Sequence, residues 1–101
     1  MNEIKIAKQY VPLVLAGQKE STIRAGKRDY ELGPAALILP DFNRINIEIT
    51  AILVERYGTL DDEDAWADGF RNLSELRAEL RRFYPDLAAE SIITIVYFAL
   101  V

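Results

Sequence analysis

The chain of 101 residues contains no cysteine and no histidine. Without cysteine there are no disulfides, thiolate metal sites or thiol nucleophiles. Without histidine, imidazole bases, imidazole metal ligands and Ser-His-Asp triads are excluded. Proton transfer must therefore run through Lys, Asp, Glu or Tyr. A positive charge excess is lacking too. The 12 basic and 16 acidic residues sum to −4, unlike proteins that coat long duplexes by neutralising phosphates. No apolar run is long enough to span a bilayer. The longest, Ile92 to Val101, is broken by Thr94 and falls well short of about 20 residues. The N-terminal residues alternate polar and apolar and show no secretory leader. These absences lead to the expectation of a cytoplasmic protein in a reducing compartment, with no membrane partner, metal or cofactor.

Half of the composition is hydrophobic, enough for one independent domain spanning residues 1–101. Asn2 to Lys8 alternates, with Ile4 and Ile6 on one face, and reads as a strand. Tyr10 to Ala16 reads as a short helix, with Pro12 in its first turn and Gly17 as its stop. Glu20 to Arg24 reads as a strand that puts Ser21 and Ile23 on one face and Thr22 and Arg24 on the other. Gly33-Pro34 is expected as a turn, Ala35 to Leu39 as a strand and Asp41 to Arg44 as a second turn. Ile45, Ile47 and Ile49 alternate with Asn46, Glu48 and Thr50, the clearest one-sided strand, whose phase blurs by Val54. Asp61 to Asp68 reads as a helix whose acidic start suits its dipole. Asn72 with Glu75 suggests a capping box opening a second helix, with an apolar stripe of Leu73, Leu76, Leu80 and Phe83. Ser91 to Val101, apolar on both faces, reads as a central strand. The order β-α-β-β-β-α-α-β predicts an α+β fold with a mixed or barrel-like sheet.

Lys19, Thr22 and Arg24 are the first chemical candidates. A hydroxyl is a poor nucleophile until a base takes its proton, and without histidine a desolvated Lys is the available base. Arg24 would bind an anionic or carbonyl oxygen. The rival reading of K-E-S-T-I-R is an amphipathic strand with solvated charges. The acidic run Asp61-Asp62-Glu63-Asp64 with Asp68 admits a divalent cation, but helix-start charge accounts for it better and no Ca²⁺-loop pattern is present. Asp68 is the exception, because a carboxylate at a helix C-terminus opposes the dipole. Trp66 and Phe70, four apart, are read as core residues. Lys27, Arg28, Arg24 and Arg44 offer a small basic patch.

The segment L-A-G-Q-K-E-S-T-I-R, Leu15 to Arg24, resembles the signature of the ASCH superfamily, G-x-K-x-x-T-x-R after the first helix. Here it is complete at Gly17, Lys19, Thr22 and Arg24. Further matches follow in order: Tyr30-Glu31-Leu32-Gly33, Asp64-Ala65 to Asp68-Gly69-Phe70, Leu73 to Leu80 with Tyr84-Pro85, and Ile95 to Val101. The resemblance covers nearly the whole chain. It implies a PUA-like β-barrel of about five strands with three short packed helices, and a cleft for a nucleobase or RNA. Small ASCH proteins include amidohydrolases that deacylate N4-acetylcytidine. Carried over, Lys19 matches their Lys, Thr22 their Thr nucleophile and Asp68 their Glu. Asp68 is one methylene shorter than that Glu, a difference of about 1 Å, a scale at which misplacement costs ~10²-fold in rate. Glu63 is the alternative acid. Arg24, Lys27, Arg28 and Arg44 are the expected substrate-binding residues, and a free nucleoside or base is the expected substrate of a monomer or weak homodimer. Two other activities are implied for such domains: non-catalytic binding of RNA or a modified nucleobase, and ribonuclease activity.

Overall fold

The computed structural model describes residues 2–101. Among these residues lie five strands and three α-helices: β1 (Asn2–Lys5), α1 (Val11–Leu15), β2 (Ser21–Ala25), β3 (Gly33–Ile38), β4 (Arg44–Arg56), α2 (Asp62–Ala67), α3 (Leu73–Phe83) and β5 (Ile92–Leu100). Short 3₁₀ turns at Lys8–Tyr10 and Tyr57–Thr59 lead into α1 and out of β4. The strands form one sheet in the order β1-β3-β4-β5-β2. Only the β1–β3 pair is parallel, so the sheet is mixed. It curls into a half-barrel, giving the expected α+β, PUA-like architecture. The curl brings the outer strands together: the Arg24 guanidinium on β2 donates to the Lys5 carbonyl on β1 at 2.5 Å.

β5 explains why the sheet has two cores. Val96 and Phe98 pack with Ile4, Val14, Leu37, Ile47 and Ile49. Ile93 and Ile95 face the other way, against Ile23, Tyr57, Ala65, Leu76 and Leu80. A strand whose successive side chains alternate between two buried faces must be apolar on both. The first core fills the half-barrel and seats α1 through Val14. The second glues α2 and α3 to its flank.

Several local expectations change. Gly33 and Pro34 open β3 instead of forming a turn, and pair with Ile49 and Glu48. The blurred phase of the fourth strand is a β-bulge: the register against β5 slips between Ile49 and Ala51, leaving Thr50 as the extra residue. A reciprocal capping box does exist, at Asp61 and Asp64 of α2. At α3 only half of one forms. The Asn72 side chain accepts from the Glu75 N–H at 2.9 Å, while Glu75 accepts from the Arg71 N–H. Trp66 is 56% exposed and Phe83 53% exposed, so neither is a core residue. Phe83 keeps the face of Leu76 and Leu80 but is the last residue of α3, where the stripe runs out to the surface.

Candidate active site

Two glycine turns bring the polar residues of the site together. Gly17 ends α1 with φ +76°, a conformation that lacks the Cβ clash only in glycine. The Gln18 and Lys19 N–H groups then both donate to the Leu13 carbonyl, folding the chain back under the helix. Gly69, with φ +92°, performs the same turn after α2. A Cβ there would meet Lys19 Cβ and Leu13 Cδ1 at 3.4 Å each. The two turns are stitched by the Glu20 N–H donating to the Ala67 carbonyl at 2.7 Å. Residues 49 positions apart are thereby forced into contact: Lys19 Nζ pairs with the Asp68 carboxylate and also donates to the Asp68 carbonyl at 3.2 Å.

This pair sits inside a cavity of about 380 Å³ between the β1–β2 seam, the 3₁₀ turn at Lys8–Tyr10 and α3. Lys19, Thr22 and Asp68 are each only 4% exposed, yet all three line the cavity, together with Arg24. Among the described residues no hydrogen bond ties down the Thr22 hydroxyl. Arg24 keeps donors to spare. Its two bonds, to the Ile23 and Lys5 carbonyls, use two of the five N–H groups of a guanidinium.

Burial sets the protonation of the pair. Desolvation pushes the Lys19 amine below the ordinary lysine value by more than the Asp68 charge restores. The same burial pushes the Asp68 carboxyl up, against the pull of Lys19. Both shifts act toward a neutral amine beside a protonated acid, a base and an acid that line the same cavity as Thr22.

The other expected site residues are distributed elsewhere. Lys27 is exposed on the loop after β2. Arg28 bonds the Ala25 carbonyl with its side chain and Thr94 with its N–H. Arg44 on β4 pairs with Glu3 on β1 at 2.7 Å, on the exposed surface of the sheet. None of the three lines the cavity, so they do not join Arg24 in one basic patch. The acidic run is occupied structurally: Asp61 and Asp64 cap α2, and Asp62 accepts the Leu73 N–H at 2.8 Å. Glu63 is exposed and does not line the cavity.

Sequence reasoning missed Tyr10, Phe70, Glu79 and Tyr84, all of which line the cavity. The Tyr10 hydroxyl donates to the Glu79 carboxylate, Phe70 meets the Tyr10 ring edge-on at 6.3 Å, and Lys19 Nζ lies 5.1 Å from the centre of that ring. The available signal was Glu79 itself, a carboxylate three residues from Leu76 and four from Phe83. At that spacing it borders the apolar stripe.

A half-barrel with an internal cleft of this kind defines a known fold class. The ASCH domain of Lactobacillus crispatus JV V101 is similar with a TM-score of 0.80 at 16% identity, over 98% of this chain and 79% of that one. Protein EF3133 of Enterococcus faecalis V583 is similar with a TM-score of 0.75 at 12% identity, over 100% and 76% of the two chains. The ASCH protein of Zymomonas mobilis, solved as a Tyr-to-Phe point mutant, gives 0.66 at 14% identity, over 96% and 67%. A scan against protein-family models finds no match, and a search of curated proteins finds none either. The fold is therefore that of the ASCH domain, established by backbone similarity at identities where only fold is shared.

Proposed function

We propose that this protein is an amidohydrolase that removes the acyl group from N4-acetylcytidine-type nucleosides. The observation that carries this reading is the Lys19–Asp68 pair, buried at the wall of a cavity that Thr22 also lines. A buried amine and acid are costly to maintain for stability alone, and perturbed titrating pairs in clefts cluster at functional sites.

The Lys19 amine takes the Thr22 hydroxyl proton as Oγ1 attacks the acyl carbonyl. The Arg24 guanidinium donates to the oxyanion that develops on the acyl oxygen. The carbon–N4 bond breaks as the Asp68 carboxyl gives its proton to N4, so cytidine leaves as a neutral amine. Lys19 is now an ammonium and Asp68 a carboxylate. Water then attacks the Thr22 ester, passing a proton to Asp68, while the Lys19 ammonium returns one to Thr22 Oγ1. Acetic acid is released and the starting protonation is restored.

The test is incubation of purified protein with N4-acetylcytidine, with cytidine release followed by chromatography. Turnover is expected, with a loss of about 10²–10⁴-fold in Lys19→Ala and Thr22→Ala. No cytidine at high protein concentration refutes the activity. Turnover equal to that of the unaltered protein in either variant refutes the mechanism.

A further inference from the structure

We propose that Glu79 reads the sugar of the substrate, so that the site selects a ribonucleoside over a 2′-deoxynucleoside or a free base. This rests on the deacylase reading and names its substrate class.

The cavity has a deep end and a shallow end. Lys19 and Asp68 side chains are 4% and 6% exposed, whereas the Glu79 side chain is 19% exposed. Phe83, one helical turn further along α3, also lines the cavity and is 53% exposed. Attack by Thr22 requires the acyl group, and hence N4, at the deep end. In cytosine the ring nitrogen N1, which carries the sugar, lies across the ring from C4. The sugar of a correctly placed substrate therefore points toward the shallow end, where Glu79 waits.

Glu79 suits that position chemically. One carboxylate oxygen accepts from the Tyr10 hydroxyl and the other from Arg82 Nε at 2.6 Å. The two partners fix the orientation of the group but use only two of about four acceptor sites. What remains is a held, acceptor-only group facing the cavity, complementary to sugar hydroxyls. Carboxylates read ribose hydroxyls in this way in dinucleotide folds. A site built to accept from a hydroxyl discriminates against the analogue that lacks it, because its polar group is left unpaired.

The experiment is calorimetric titration of the protein with cytidine, 2′-deoxycytidine and cytosine, with N4-acetylcytidine turnover measured on the same samples. Cytidine is expected to bind about tenfold tighter than 2′-deoxycytidine, as one hydrogen bond to a charged acceptor predicts, and cytosine more weakly still. Glu79→Ala should bring the ribose-to-deoxyribose ratio close to one. Glu79→Gln, which keeps the shape and a weaker acceptor, should give an intermediate ratio and serves if the alanine variant does not fold. A wild-type ratio near one, or a ratio that neither variant changes, overturns the assignment. Turnover with such a ratio overturns Glu79 alone. A Glu79-dependent ratio without turnover supports Glu79 and overturns the deacylase. Absence of both cytidine binding and turnover overturns both.

Discussion

Lys19–Asp68 and Arg44–Glu3 each join a basic side chain to an acidic one, placed in opposite environments. The side chains of the first are 4% and 6% exposed, those of the second 47% and 54%. The exposed pair keeps its hydration and lies on the outside of the sheet. The buried pair has lost water, and its two groups are pushed toward neutrality. An arrangement that gains little stability, yet is held by two glycine turns and a cross-loop hydrogen bond, is the place on which the proposed chemistry rests. The distinction separates a pair that carries solvated charge from a pair that burial drives toward neutrality.

The most severe test of this contrast replaces the buried pair with apolar side chains of similar volume. Lys19→Met with Asp68→Leu should leave thermal stability equal or higher, because apolar replacement of buried ion pairs is often neutral or stabilising by about 1–4 kcal/mol. N4-acetylcytidine turnover should fall by about 10²–10⁴-fold. A stable double variant that still turns over would remove the pair from the mechanism.

A smaller effect probes the buried pair through pH. Lys19 is lowered from 10.5, so the amine becomes neutral as pH rises through a value below 10.5. Asp68 is raised from 3.8, so the acid survives to a pH above 3.8 and is lost as pH rises further. The active pair holds one proton between its two members. Turnover should therefore fall on the acid side, where a second proton is taken up, and on the alkaline side, where the only one is lost. Both limbs should lie between 3.8 and 10.5 and change about tenfold per pH unit. A profile flat across that interval would show that the pair does not titrate during catalysis.

The smallest effect belongs to the surface pair. Arg44→Ala should cost about 1 kcal/mol or less, and the difference should shrink in high salt as screening takes over. Denaturant titration at two salt concentrations measures this. A loss of several kcal/mol would mean that the exposed pair is more than solvated charge.

The order of elements and much of the chemistry are written locally in the chain. Period-two alternation at Ile45, Ile47 and Ile49 and the double-faced apolar run of β5 specify strands, because a pleated backbone sends successive side chains to opposite sides. Gly17 and the capping residues of α2 and α3 specify where helices stop and start. The absence of histidine and cysteine narrowed any proton transfer to residues such as Lys19 and Asp68. Folding in three dimensions was needed to establish that these two, 49 positions apart, touch, that Arg28 and Arg44 lie away from the cavity, and that Glu79 and Tyr10 belong to it. It also placed Phe83 at the shallow end instead of in the core. The division follows from range. Periodicity and capping are local properties of a few consecutive residues, whereas burial and pKa depend on which distant segments the curl of the sheet brings together.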